Sequence, residues 1–161
     1  MWGIAFWFAA AVLGHVVTDL SFYSVHRWVL HGPLGSLPGL RSLKMHHAKH
    51  HAQPKKLGGL LFTPLANLML LALGIAFVHY ILPFGIGYSA YIWLYSWRHG
   101  RAHMGYDDAV SDHHLIHHMV SPKWNFDIVY PLTDFLMGTS AYEAYELSLI
   151  HISEPTRQEA I

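Results

Sequence analysis

The sequence contains no cysteine, which removes disulfides, iron–sulfur clusters, thiolate zinc sites and every cysteine nucleophile at once. Charge is scarce as well: Asp, Glu, Lys and Arg make up 12% of the 161 residues, about half the share of an ordinary soluble domain, while 53% are hydrophobic. That balance is the composition of a membrane protein. Neither sign of charge prevails, since ten basic residues match ten acidic ones, so nothing draws the chain to nucleic acid. Ahead of residue 147 the only glutamates are Glu143 and Glu146, too few for the Glu-x-x-His pairs of a carboxylate-bridged di-iron bundle. No Gly-x-Ser-x-Gly elbow, phosphate loop or dinucleotide signature is present. Histidine is what the chain has in excess, 15 residues of it, in a length that allows one domain.

The segment from Leu147 to Arg157 matches the conceptual translation of a transposase adapter used to build sequencing libraries. Residues 147–161 are therefore read as an artefact, and residues 1–146 as the domain. Trp2 to about Tyr23 is nearly all apolar, interrupted by His15, Thr18, Asp19 and Ser21, and at ~1.5 Å per residue it is long enough to cross a ~30 Å hydrocarbon core. No basic segment precedes it and no small-residue cleavage site follows, so it is a span rather than a signal peptide. His26 to Lys56 is polar and rich in histidine. Leu57 to Trp97 is a long uncharged run in which Pro83, Gly85 and Gly87 predict a break, hence a two-helix hairpin. Its second arm, Phe84 to Trp97, carries the interfacial aromatics Tyr88, Tyr91, Trp93, Tyr95 and Trp97. A second histidine-rich stretch, Arg98 to Lys123, and an amphiphilic tail from Trp124 to about Glu146 follow.

Charge placement checks this layout. All nine basic residues before position 147 lie in the two polar stretches. One hairpin between the stretches brings both to the same face, and the positive-inside rule makes that face cytoplasmic, in a bacterial inner membrane or the endoplasmic reticulum. The predicted architecture is an all-α integral membrane bundle of three transmembrane helices, four with a helix ahead of Met1, under a cytoplasmic histidine-rich helical cap.

His47, His50 and His51 are spaced i, i+3, i+4, and so are His114, His117 and His118, which puts each trio on one helical face. His99 and His103 are i, i+4 and share a face too. His26 and His31 are five apart and converge only where a helix ends or distorts; Gly32 and Pro33 directly after supply a terminator. The sum is ten imidazoles, five from each polar stretch. Neutral imidazole suits iron, copper, zinc and nickel, and ten of them serve two metals with positions left open for a gas or substrate. A structural zinc would be satisfied with four ligands. Two such metals at a bilayer surface point to redox chemistry on a lipid. His15 and His79 are read as packed or interfacial side chains. His46 and His113 each precede a trio, and either can stand in as the i−4 partner of His50 or His117.

These residues resemble the fatty acid hydroxylase/sterol desaturase superfamily of membrane histidine-box di-iron enzymes, over roughly Val17 to Ser140. The superfamily's opening signature is similar to Asp19, Tyr23, His26 and Arg27. Its H-x4-H box falls on His26 and His31, its first H-x2-HH box on His47, His50 and His51, its H-x3-H box on His99 and His103, and its last box on His114, His117 and His118. The segment from Asn125 to Thr139 is similar to the superfamily's ending, except that Asp127 replaces the usual Gly and Thr133 the usual Trp.

The resemblance implies two iron ions, with zinc able to take the same site, that use O2 and electrons from a separate electron-transfer protein to hydroxylate a C–H bond of a lipid drawn from the bilayer. The compact layout and the Gly-Thr ending favour a fatty acyl or sphingolipid chain. A sterol desaturase or oxidase and a carotenoid hydroxylase are the alternatives within the superfamily, and a non-redox zinc-binding membrane protein the alternative outside it. A transporter would set its ligands at mid-membrane, whereas these ten histidines lie outside the spans. Asp19, Asp112 and Asp134 are candidates to fix ligand tautomers from behind, or else helix caps; Asp107 and Asp108 are read as caps. Arg27 and Arg98, beside ligands at the membrane edge, anchor the helices or reach lipid phosphates.

Overall fold

The structure, a computed structural model, describes residues 3–54, 72–76, 81–105 and 108–141. Among these residues every regular element is helical and no strand occurs, as the all-α expectation requires. Helix α1 (Ile4–Ser24) continues directly into a π-helical turn (Val25–Leu30), and a short 3-10 turn (Pro33–Ser36) follows. Helices α2 (Arg41–Ala52), α3 (Leu82–His103), α4 (Ala109–Met119) and the short α5 (Pro131–Leu136) complete the chain order.

The apolar run Ile4–Leu30 spans 27 residues; its most apolar 18-residue window has a mean hydropathy of 1.6, and only 17% of that window is buried. Within α1 the buried residues are Gly14, Thr18, Asp19 and Tyr23, a narrow stripe at helical spacing. Elsewhere α1 turns large apolar side chains outward, with Ile4 90% and Phe8 72% exposed. Such a surface suits lipid, not water. Among the described residues this is the one helix long and apolar enough to cross a membrane. The predicted first hairpin arm from Leu57 lies outside the described residues except for the helical piece 72–76. His79, Asp107 and residues 142–161 also lie outside them.

The expected break at Pro83, Gly85 and Gly87 is instead the start of α3. Pro83 occupies the first turn, where its missing N–H leaves no intrahelical bond unmade, and the helix runs on through both glycines to His103. The glycine at 87 matters for packing: a Cβ there would strike the Ala11 carbonyl, and one on Gly14 would strike that of Phe84. The two backbones therefore meet directly, as membrane helices do through small residues. From Gly87 onward, past this crossing, neighbours follow the same order along both helices. Gly87 lies beside Ala11, Tyr91 beside His15 with ring centroids 5.2 Å apart, and Tyr95 beside Phe22 at 4.7 Å. Helices α1 and α3 are thus parallel, and their C-terminal ends deliver His26 and His31, His99 and His103, to one end of the molecule.

Asp108 caps α4, its carboxylate accepting from the amides of Val110 and Ser111, which agrees with the plain capping reading. After α4 the chain folds into a buried segment, Asn125 to Val129. Asn125 takes a left-handed conformation with φ 55°, which asparagine tolerates better than most residues. Its Nδ2 donates to the His113 carbonyl (3.0 Å), its Oδ1 accepts from the Ala141 amide (2.8 Å), and its own amide donates to Thr139 O (2.8 Å).

Candidate metal centre

His26 and His31 come together because the helix widens into a π turn between them. The His31 amide bonds the His26 carbonyl (3.1 Å) across five residues, and this wider winding, rather than the terminator alone, brings the two rings within 5.1 Å. Helix α2 adds His47 and His51, one turn apart, and α4 adds His117. One ligand nitrogen from each of these five histidines lies within 4.8 Å of every other. A second five, His50 from α2, His99 and His103 from α3, and His114 and His118 from α4, meets the same limit. All ten histidines singled out in the sequence are therefore brought together as two groups of five. The groups abut: His51 of the first stacks on His118 of the second at 4.1 Å.

In the first group Nε2 of His47 lies 3.1 Å from that of His26, 2.7 Å from that of His31 and 3.0 Å from that of His51. Nε2 of His117 lies 3.0 Å from that of His31. A neutral imidazole carries a single N–H. His26 donates its own from Nδ1 to the Phe126 carbonyl, and His117 likewise to the Trp124 carbonyl at 2.7 Å. Their Nε2 atoms therefore present lone pairs inward, at nitrogens too crowded for one-proton donors to satisfy. A cation among them satisfies all of them at once. In the second group Nε2 of His50 lies 3.3 Å from that of His99, and Nε2 of His103 lies 3.1 Å from that of His114.

Electrostatics keep these rings in the ligating form. Burial lowers His31 and His50 to about 4 and His51 to about 3, against an ordinary 6.5, and it holds His47, His114, His117 and His118 well below that value too. Neighbouring imidazoles deepen most of these shifts. At neutral pH these seven rings are uncharged, as metal binding requires. The donor set is nitrogen only, without carboxylate or thiolate, and fits borderline transition metals. The Phe126 ring covers the first group, 5.8 Å from His26 and His31 and 5.5 Å from His117.

Behind the rings stands Asp134, fully buried. Its Oδ2 accepts from His113 Nε2 (2.9 Å) and the Asp127 amide (2.7 Å), its Oδ1 from the Phe126 amide (2.9 Å) and the Thr139 hydroxyl (2.7 Å). Because the Thr139 proton goes to Asp134, Tyr23 must donate to Thr139 (2.7 Å), and Arg27 in turn donates to Tyr23 (2.9 Å). A directed chain therefore ties α1 to the segment that carries the Phe126 carbonyl.

The profile of the fatty acid hydroxylase family matches residues 11–139, a range that takes in both groups and the closing segment. The chain belongs to the fatty acid hydroxylase family. Members of this family are membrane-associated oxidoreductases, and the outward apolar face of α1 accords with that setting. The chain is 32% identical over 133 residues to the beta-carotene hydroxylase of Paracoccus sp. (strain N81106 / MBIC 01143), covering 72% of this chain and 76% of that protein. It matches the beta-carotene hydroxylase of Paracoccus sp. (strain PC1) to the same identity and extent. No solved structure matches the chain.

Within this fatty acid hydroxylase domain the remaining candidates separate clearly. His46 is exposed on the far side of α2, and His113 pairs with Asp134, so neither joins a group. His15 is packed, bonding Tyr130 OH at 2.8 Å. Asp19 accepts from the Thr133 hydroxyl (2.7 Å) and Asp112 sits in the first turn of α4, while Asp134 acts on His113 and the closing segment. The outward nitrogens of His26 and His117 are held by main-chain carbonyls, of Phe126 and Trp124, which sequence reading missed because a carbonyl has no residue signature. Arg27 serves Tyr23, and Arg98 donates to the Val129 carbonyl (2.7 Å), both internal anchors.

Proposed function

We propose that the protein is a membrane carotenoid hydroxylase in which each histidine group holds one iron ion. The observation that carries this reading is the pair of abutting five-imidazole groups, each with its ligand nitrogens within 4.8 Å. The relatives named beta-carotene hydroxylase support a carotenoid over the acyl or sphingolipid chain that the sequence alone favours. Iron bound there would activate O2 toward an unactivated C–H bond, with electrons from a separate carrier protein. The chain's own part is orientation and exclusion. Phe126 O and Trp124 O fix His26 and His117 with Nε2 inward, the buried rings stay neutral, and the Phe126 ring shields the first group from water.

The parallel course of α1 and α3 supports three spans, or four with a preceding helix, carrying the histidine cap on the cytoplasmic face. A carotenoid is long, rigid and confined to the bilayer, so it reaches the cap along the apolar outer surfaces of these helices. The test is expression in a bacterium that accumulates β-carotene, beside a His117→Ala variant, with iron assayed in the purified proteins. Carotenoid gaining one oxygen per ring only with the intact protein, which alone binds iron, bears the reading out. Iron-loaded protein, supplied with reductant, that leaves carotenoid untouched but oxygenates acyl lipid transfers the reading to the acyl chain. Tightly bound zinc with no oxygenated product sinks it.

A further inference from the structure

Helix α5 turns outward an apolar face that the metal centre does not use: Leu132, Phe135 and Leu136 are 62%, 63% and 71% exposed, and Met137 follows them. From Ile128 to Ala141 the one charged residue is Asp134, and it is fully buried. Such a face calls for an apolar partner, and the place where the segment docks on α1 names it. The two ends of the segment meet near the histidines, where the Asn125 amide donates to the Thr139 carbonyl (2.8 Å). From there its contacts step away along α1. Phe126 lies against His26, with ring centroids 5.8 Å apart; Thr139 accepts from the Tyr23 hydroxyl (2.7 Å); Thr133 donates to Asp19 (2.7 Å); and the Tyr130 hydroxyl reaches His15 (2.8 Å). Threonine and aspartate are short, so α5 stands level with Asp19, seven residues before His26 and about 10 Å further from the cap at ~1.5 Å per residue. At that level α1 presents Val16, Val17 and Leu20 outward, and its exposed apolar surface continues beyond to Val25 and Trp28. On α3 the exposed Trp93 and Trp97 precede the first cation, Arg98. Helix α5 therefore docks inside the apolar belt, not above it.

We propose that residues 125–139 form a re-entrant hairpin that dips from the histidine cap into the adjoining leaflet, where acyl chains of the bilayer cover the outer face of α5. The inference rests on the reading of α1 as a span with the cap at one of its ends. Irregular backbone is tolerated at such depth only when the protein itself satisfies its polar groups. Two buried carboxylates do so here: Asp134 accepts from the amides of Phe126 (2.9 Å) and Asp127 (2.7 Å), and Asp127 from those of Val129 (2.8 Å) and Tyr130 (3.2 Å). Pro131, next in the chain, has no N–H to satisfy. On the returning side the amides of Gly138 and Thr139 donate to the carbonyls of Phe135 (3.2 Å) and Asp134 (2.8 Å). A second copy of the chain fits this face less well. A stable dimer takes roughly 800 Å² from each partner, more than the outward side chains of one six-residue helix present, whereas the neighbouring surface of α1 already faces acyl chains.

Because the chain has no cysteine, Leu136→Cys in α5, Leu13→Cys on the outward face of α1 and Lys123→Cys in the cap can each carry a single bimane fluorophore. All three positions are exposed, so the substitutions leave the packing intact. The labelled full-length proteins are placed in lipid nanodiscs, and emission is read against two quenchers, a phospholipid bearing a nitroxide on its acyl chain and iodide in the water. The label at Leu136 should lose its emission to the nitroxide lipid, as the label at Leu13 does, and keep it in iodide; the label at Lys123 should show the reverse. Leu136 answering to iodide while Leu13 answers to the nitroxide lipid would overturn the hairpin and leave α1 as a span. Leu136 answering to neither would mean that protein covers α5, a second copy or another segment, and would overturn the acyl-chain occupant. Leu13 answering to iodide would overturn the span itself, and the hairpin with it.

Discussion

Asp134 shows how one side chain holds the platform beneath the rings. Replacing it by alanine leaves the His113 Nε2–H, two backbone amides and the Thr139 hydroxyl without their acceptor in a fully buried place. Asp134→Ala is expected to cost about 3–5 kcal/mol, measured by denaturation in detergent. His46→Ala, on an exposed position, should stay within about 0.5 kcal/mol and leave metal content unchanged. Acid sensitivity follows from the lowered histidines. In metal-free protein the folded state binds fewer protons than the unfolded one between about 4, where His31 and His50 titrate when folded, and 6.5. Its stability is therefore complete above 6.5 and falls as pH drops toward 4, which thermal unfolding across that window will check; a flat profile contradicts the burial of the rings. At this scale the sequence was informative where chemistry repeats at helical spacing, as in His47, His50 and His51. It said nothing of Phe126 and Trp124, which act through their carbonyls, and it left His113 open because a pairing with Asp134 depends on a loop that no periodicity describes.

Between elements, the contact of α1 with α3 sets the site, since it aligns the ends that bear His26, His31, His99 and His103. Gly87→Ala forces a Cβ into the Ala11 carbonyl, backbone that cannot move aside as a side chain would. The expected loss is at least about 1–3 kcal/mol. Gly3→Ala, with nothing within 4 Å, is the control and should leave the thermal midpoint unmoved. The glycines near Pro83 illustrate a limit of sequence reading. Gly and Pro together signal a break in isolation, yet here proline fits a first turn and Gly87 answers a tertiary demand for close approach. For His26 and His31 the five-residue spacing correctly required a distorted helix, but only the structure shows the distortion to be a π turn continuous with α1.

For the molecule as a whole, the question is how it sits in the bilayer, and the lack of cysteine makes that directly measurable. A helix of 27 residues, Ile4–Leu30, at ~1.5 Å per residue exceeds a ~30 Å hydrocarbon core. Its exposed apolar side chains surround it rather than marking one face. A helix lying in the interface would need a polar side toward water, and α1 has none: its polar buried residues, Thr18 and Asp19, face α3 and α5 instead. Single cysteines placed at Gly3, Lys49 and Lys123 report the sides. Lys49 and Lys123 are exposed and flank the two histidine groups from α2 and from the turn after α4. In sealed inverted vesicles, Lys49→Cys and Lys123→Cys should react with an impermeant maleimide added outside, the former cytoplasmic face, while Gly3→Cys reacts only after the membrane is opened. Labelling of all three from one side would mean that α1 does not cross; labelling of the pair only after opening would put the cap on the other face. Reaction of Lys49→Cys and Lys123→Cys from opposite sides would break the site itself, because α2 and α4 both supply histidines to each group and cannot do so across a bilayer.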